Sequence, residues 1–322
     1  MSAGRPVRRV HSLVEGALIS VVADSRIAIL VPCLNEERTV AGVVAGFQAV
    51  LPQAVVYVYD NGSTDATSER ATSAGAVVRT EPSVGKGSVV RRMFADIDAD
   101  IYLMVDGDGT YDPAEAPLLV KQLVSDQLDM VVASRIGVTG RAGHAVGNRA
   151  FNRLYRWLFG AEFTDILSGY RALSRRFVKS FPAASSGFEI ETEISVHASQ
   201  LRLPVAEMDA SYRARPVGSE SKLRTFADGW RILKAMVALL KDNRPLLMFG
   251  LLATVSVAAA LGLGVPVVVD FAQSGLVERL PTAVLATGLA VVGLVQLAVG
   301  LILDVVAKGR VEAKRIAYLQ SR

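Results

Sequence analysis

The chain has 322 residues, of which 51% are hydrophobic and 20% charged, with 35 Lys and Arg against 31 Asp and Glu. It is too apolar to be disordered, and a net charge of +4 is too small to indicate a nucleic-acid partner. Its single cysteine, Cys33, excludes an intrachain disulfide and a cysteine-based metal cluster.

Residues 1–24 are expected to form an N-terminal tail. Arg5, Arg8 and Arg9 precede only a weakly apolar stretch, which Glu15 interrupts, so no signal peptide is read there. Residues 26–31 (RIAILV) form a short apolar run ended by Pro32, the pattern of a buried strand. Residues 37–51 space Val40, Val43, Val44, Phe47 and Val50 as a helix. A strand over 54–59 leads to a turn at Asn61-Gly62 and a helix opening near Thr64. A third strand at 76–79 and a helix at 87–95 follow. The apolar run 101–105 (IYLMV) is a fourth strand that stops at Asp106; then come a helix over 113–124 and a fifth strand at 129–133. Strands separated by helices predict an α/β domain with a mostly parallel sheet and helices on both faces, binding ligands at the C-terminal strand ends.

Beyond Arg135 the pattern loosens. It predicts an amphipathic helix over 143–159, a helix over 188–201, a strand over 205–212 and a helix over 224–240. The last carries Phe226, Trp230, Leu233, Val237 and Leu240 with Arg231 and Lys234 among them. Immediately before an apolar run it reads as an interfacial helix, a reading compatible with its packing on the domain core. Residues 245–269 and 280–303 then run for 25 and 24 positions without a charge. Each exceeds the roughly 20 residues needed to span a membrane, and the ten residues between them make the pair a hairpin. Basic flanks on both sides (Arg213, Arg215, Lys222 and Arg244 before; Lys308, Arg310, Lys314 and Arg315 after) predict a cytoplasmic catalytic part and cytoplasmic termini on an inner membrane. Basic flanks also attract anionic lipid headgroups. The expected organisation is a tail (1–24), a catalytic domain (25–223), a juxtamembrane helix (224–244), two spans (245–269 and 280–303) and a basic tail (304–322). Small residues such as Gly262, Gly264, Gly288 and Gly293 permit close helix packing, within the hairpin or in a homo-oligomer.

The polar residues cluster at the strand ends. Asp106-Gly107-Asp108 places two carboxylates where they can share one hard cation, Mg²⁺ or Mn²⁺, with substrate phosphates. Asp60-Asn61-Gly62-Ser63-Thr64-Asp65 reads both as a turn that caps the next helix and as a site where Asp60 meets a base or ribose. In Gly85-Lys86-Gly87, glycines allow close backbone approach and lysine offers a charge to phosphate. His11, His144 and His197 lack mutual ligand spacing and read as structural or surface residues. Glu189 and Glu193 share a helix face, with contact to an arginine or simple solvation as alternatives.

Taken in order, Pro32-Cys33-Leu34-Asn35-Glu36-Glu37, Asp60 to Asp65, Gly85-Lys86-Gly87 and Asp106-Gly107-Asp108 resemble the motifs of family 2 glycosyltransferases of the GT-A fold. Asp165-Ile-Leu-Ser168-Gly169-Tyr170-Arg171, Gly187-Phe-Glu189-Ile-Glu191, and Tyr212-Arg213 with Ser221-Lys222 extend the resemblance to the polyprenyl-phosphate sugar transferase branch. The likeness covers roughly residues 26–244. It implies a nucleoside-diphosphate sugar donor, with either UDP or GDP, and a polyprenyl phosphate acceptor in the membrane. Pro32, Glu36, Asp60 and Lys86 would line the nucleotide pocket. Asp106 and Asp108 would bracket metal and diphosphate, with Asp108 the more direct ligand. Arg135 and Lys222 would face phosphates, Asp165 would sit near the acceptor, and Arg213 and Arg215 would belong to the basic segment at the membrane. The family is inverting, so an α-linked donor would give a β-linked product. The resemblance departs at Leu34, where a tyrosine is common, and at Asn61, where a second aspartate is. Transfer to another lipid hydroxyl and a catalytically silent scaffold are the alternatives.

Overall fold

β1 (Ile27–Cys33) is buried along its length apart from the half-buried Pro32, so it runs through the middle of the sheet. The computed structural model describes residues 25–136, 153, 155–157, 163, 165–183, 187, 189–213, 237–238 and 240–321. After β1 come α1 (Val40–Val50), β2 (Val55–Asp60), α2 (Thr67–Ser73), β3 (Val77–Thr80), α3 (Lys86–Asp96) and β4 (Ile101–Met104). A 3₁₀ turn (Pro113–Glu115) then enters α4 (Ala116–Ser125), followed by β5 (Met130–Ile136), β6 (Arg171–Ser174), α5 (Arg175–Ser180), α6 (Ile190–Leu201) and β7 (Val205–Ser211). The long helices α7 (Pro245–Ser274) and α8 (Leu280–Gln320) close the chain.

The strand order is β3-β2-β1-β4-β6-β5-β7. β1 to β4 are mutually parallel, β5 and β7 are parallel, and only β6 runs against its neighbours. The chain moves outward from β1 to β3 and returns to the other side of β1 as β4. That reversal opens a ligand crevice at the C-terminal ends of β1 and β4. Because β6 is antiparallel, its start lies at the same sheet edge, as does the end of β5. Among the described residues, the four motifs that follow β1 to β4 and the segment that precedes β6 therefore open onto one edge.

The mostly parallel α/β sheet is as the sequence predicts. β6 is the addition: four residues beginning with Arg171 offer no apolar run, yet Arg171 is fully buried. Helix starts shift for a physical reason. α1 begins at Val40 because residues 36–39 form a turn, and the Thr39 hydroxyl donates to the Gly107 carbonyl at 2.7 Å instead of capping the helix.

The chain divides into two units, Met1–Thr225 with Lys314–Arg322, and Phe226–Ala313. In the first, the end of α8 is part of the sheet-containing body. The Tyr318 hydroxyl donates to Asp129 Oδ2 at 2.7 Å, Lys314 donates to Gln200 at 3.0 Å, and the Arg176 guanidinium lies 5.3 Å from the Tyr318 ring centre. The second apolar run thus does not end in a separate tail after Leu303; the helix continues unbroken to Gln320. In the second unit α7 and α8 pack closely. A methyl group at Gly293 would stand 2.8 Å from Val257 Cγ2, and the Ser256 hydroxyl donates to Gln296 at 3.0 Å. The best windows of the two helices have mean hydropathy 2.3 and 2.5, with only 11% of residues buried. Leu251 is 64% and Leu294 68% exposed. Helices this apolar and this exposed are consistent with a membrane-anchoring hairpin. The proposed helices over 143–159 and 224–240 lie largely outside the described residues. Of the first, Tyr155 is described, buried and donating to the Ser195 carbonyl at 2.8 Å.

Candidate active site

The first two motifs are locked together where β1 and β2 end. Asn35 adopts a left-handed φ of 53°. Its N–H donates to the Ser63 hydroxyl and its side-chain oxygen accepts from the Thr64 N–H, both at 2.8 Å. The Glu36 N–H donates to the Thr67 hydroxyl at 2.8 Å; across the same seam the Glu37 N–H donates to Asp65 Oδ2 and the Glu37 carboxylate accepts from the Ala66 N–H, both at 3.2 Å. Asp60 is buried, and both its oxygens accept within its own loop, from the Ser63 N–H at 2.8 Å and from the Ser68 hydroxyl. The turn is therefore realised, whereas the cap is not: the N-cap of α2 is Ala66, which has no side-chain cap. Pro32 and Glu36 are half-buried beside it.

Asn61 carries the third motif. Its amide donates to the carbonyls of Glu81 and Ser83 at 2.9 and 2.8 Å, and its oxygen accepts from the Gly85 N–H at 2.7 Å. Gly85 has φ 118°, a conformation that a side chain strains, and it sets Lys86 as the first residue of α3. The Lys86 ammonium is nearly buried and donates to both Asp106 and Glu191. Burial alone would lower its pKa; the two carboxylates reverse this and hold it above the ordinary lysine value.

The two aspartates of the fourth motif differ. Asp108 is 3% exposed and accepts from the Thr110 N–H at 3.1 Å and the Thr110 hydroxyl at 2.6 Å. The Asp106 side chain is 29% exposed and faces Lys86. It also lies against Gly169, where a methyl group would clash with Asp106 Oδ2. The local field is negative: burial first, then Glu36, Asp60, Asp106 and Asp108, push the Cys33 thiol well up. Among the described residues no three His, Cys, Asp or Glu side chains form a metal cage.

On the β5 side, Arg135 and Asp165 form a two-pronged ion pair, Nε to Oδ2 at 2.7 Å and NH2 to Oδ1 at 2.8 Å, with the Arg135 N–H adding a third bond at 3.2 Å. Burial pushes the Asp165 carboxyl up, but Arg135 outweighs it and holds the pKa below the usual carboxylate value. Arg171 pins the loop beneath, donating to the carbonyls of Ser168 at 2.9 Å and Ile166 at 2.7 Å and to the Ser195 hydroxyl at 2.9 Å. The Tyr111 hydroxyl accepts from the Gly169 N–H at 3.0 Å, tying that loop to the fourth motif. Arg213 follows β7, donates its N–H to the Thr110 carbonyl at 2.8 Å and pairs with Asp112.

Residues 28–180 match the model of glycosyl transferase family 2. Over 301 residues the chain is 34% identical to the glycosyltransferase AglJ of Haloferax volcanii, covering 91% of this chain and 98% of that one. The chain belongs to glycosyltransferase family 2. This glycosyltransferase is also 28% identical to the dolichyl-phosphate hexose transferase of the same organism, over 68% of this chain and 95% of that one. Its structure is similar, with TM-score 0.58 and 25% identity, to glucosyl-3-phosphoglycerate synthase from Mycobacterium tuberculosis in complex with Mn²⁺, UDP-glucose and glycerol 3-phosphate, covering 76% of this chain and 86% of that one.

The glycosyltransferase thus brings Pro32, Glu36, Asp60, Lys86, Asp106, Asp108, Arg135 and Asp165 to one sheet edge. Arg215, Lys222, His11 and His144 lie outside the described residues. His197 is a core residue: burial takes its pKa down to about 3, and its Nε2 lies 3.0 Å from the Ser180 hydroxyl. The glutamate that reaches the site is Glu191, between the Glu189 and Glu193 expected to share a face. The signal was available, because Glu191, Ser195 and Ala198 fall on one stripe of α6 among small residues, and all three are buried. A divalent cation bound at this edge would have the Asp106 and Asp108 carboxylates as candidate ligands. The negative field around Cys33 and the unpartnered buried Oε2 of Glu191 fit such a cation.

Proposed function

We propose that this glycosyltransferase moves a sugar from a nucleoside-diphosphate sugar onto the phosphate of a membrane polyprenyl phosphate, with inversion. The observation that carries the reading is an exposed apolar hairpin in the same chain as a strand-end glycosyltransferase site. An acceptor with a phosphate head at the membrane surface and a tail within the bilayer suits that combination. The similarity to a dolichyl-phosphate hexose transferase supports it. The likeness to a synthase solved with glycerol 3-phosphate favours a second reading, a small soluble phosphate acceptor. The hairpin is a reason to prefer the lipid.

Under this reading Pro32, Glu36 and Asp60 border the nucleotide. A bound Mg²⁺ or Mn²⁺ at Asp106 and Asp108 would neutralise charge on the departing diphosphate. Lys86 adds its positive charge on the same side. Arg135, oriented by Asp165, presents a guanidinium to the acceptor phosphate, an arrangement suited to planar oxyanion recognition. The acceptor phosphate is ionised near neutral pH, so its oxygen attacks the anomeric carbon without a strong general base. The carbon–oxygen bond to the diphosphate breaks, and the electron pair leaves with the nucleoside diphosphate. Asp165, already ionised and paired, serves as a positioning residue. Both hairpin flanks are basic, and residues 314–322 belong to the catalytic unit, which supports a cytoplasmic catalytic unit and C-terminus.

The test is a transfer assay on detergent-purified protein with Mn²⁺ or Mg²⁺, labelled UDP- and GDP-sugars, and either a short polyprenyl phosphate or glycerol 3-phosphate. Metal-dependent label in the organic phase, lost in D108A, is the expected result. Label only in a water-soluble product would replace the lipid with the small phosphate. A phosphate-free glycolipid would point to a lipid hydroxyl.

A further inference from the structure

Lys86 occupies an unusual position for a residue meant to meet a diphosphate. Its ammonium is 11% exposed and is enclosed by two carboxylates, Asp106 on the fourth motif and Glu191 on α6. Asp106 is also one of the two carboxylates available to a divalent cation. A lysine on Asp106 Oδ1 and a metal ion on Asp106 compete for the same carboxylate and the same negative field. Glu191 differs from Asp106. It is buried, and its second oxygen has no partner. It is also held on a helix whose backbone and side chains are tied to Arg171 through Ser195, which accepts from Arg171 and donates to the Glu191 carbonyl at 3.1 Å.

We propose that Lys86 is a built-in counter-cation that a divalent metal displaces from Asp106, and that Glu191 is the positioning residue that retains the lysine afterwards. This rests on the metal-dependent reading above and deepens it. Before the donor arrives, the ammonium neutralises Asp106 and keeps a buried negative cluster from standing uncompensated. When metal takes Asp106, Lys86 loses one partner and keeps the other. Its charge is then only half matched, and it turns to the diphosphate that accompanies the metal. Metal and nucleoside diphosphate each weaken the Lys86–Asp106 contact, so each favours the other's binding beyond their direct contact. Glu191 keeps the freed lysine beside the site instead of letting it swing into solvent.

The experiment is Mn²⁺ binding to the full-length protein in detergent, read as loss of the free Mn²⁺ electron paramagnetic resonance signal, with and without UDP. Thermal melts establish that each variant is folded. K86M should bind Mn²⁺ without UDP about tenfold more tightly than wild type, because the competitor is gone. E191Q should bind it about tenfold more weakly, because the lysine then has Asp106 as its sole carboxylate. The decisive comparison is the double variant. In the K86M background the E191Q change should cost little, since Glu191 acts through the lysine. K86Q serves as the second neutral variant if K86M does not fold. Mn²⁺ binding that D106N abolishes but K86M and K86Q leave unchanged would overturn the exchange while leaving the metal reading intact. An equal loss from E191Q with and without Lys86 would make Glu191 a direct ligand and overturn its positioning role. No Mn²⁺ binding by any form, even with UDP, would overturn the metal reading and the exchange together.

Discussion

The two sides of the sheet edge are built by different means. On the β1–β4 side, four short motifs brace one another through backbone N–H groups and small polar side chains: Asn35 with Ser63 and Thr64, Asn61 with Gly85, Thr39 with Gly107. These three bracing contacts are neutral and have neighbours, and the charge on that side is concentrated in Lys86 with Asp106 and Glu191. On the β5–β7 side, two buried or half-buried arginines hold the geometry. Arg135 grips Asp165, and Arg171 gathers carbonyls from the loop that precedes it. Shared neutral bonds tolerate loss, whereas a buried charge concentrates the consequence in one residue.

The largest effect should come from removing the central guanidinium. R171M strips partners from the buried carbonyls of Ser168 and Ile166 and should cost about 3–4 kcal/mol, seen as a lower midpoint in denaturant. A loss below 1 kcal/mol would erase the distinction between the two sides. G169A probes the seam between them. The added methyl group would press on Asp106, and turnover should fall about 100-fold with little change in stability. Unchanged turnover would mean that Asp106 moves aside freely.

R135M should destabilise by about 2 kcal/mol at neutral pH, between the cost of breaking a surface pair and a buried one. Since Arg135 holds the Asp165 pKa below its unfolded value, the pair's stabilisation is present above about pH 4 and is lost as pH falls through the folded-state value. The gap between R135M and wild type should therefore close in acid. A gap constant down to pH 2 would assign the loss to packing. Y318F is the mildest change. It removes one hydroxyl from Asp129, which also accepts from Ser174 and pairs with Arg176, and should cost about 1 kcal/mol. The Tyr318 hydroxyl is pushed up to about 12 by burial and by Asp129, so this difference should not vary between about pH 6 and 9, where the hydroxyl stays protonated and carboxylates stay ionised.

Much of the molecule follows from local pattern. The apolar runs at β1, β2 and β4, the helical spacing of Val40, Val43 and Phe47, and the charge-free stretches of α7 and α8 report burial directly, because periodicity and length are properties of the chain itself. The four motifs on the β1–β4 side are legible for the same reason: each lies at the end of a readable strand or the start of a readable helix. Contacts between distant segments are not written that way. β6 has no apolar run and is a strand because Arg171 is satisfied by carbonyls brought from the preceding loop and by Ser195 on α6. Glu191 reaches Lys86 across more than 100 positions of chain, and Tyr318 reaches Asp129 across more still. Sequence alone determined the sheet apart from β6, its ligand edge and the apolar hairpin, since each depends on the hydropathy of neighbouring residues. Tertiary structure decided which charges pair, because a buried charge takes its partner from whatever segment the fold delivers to it.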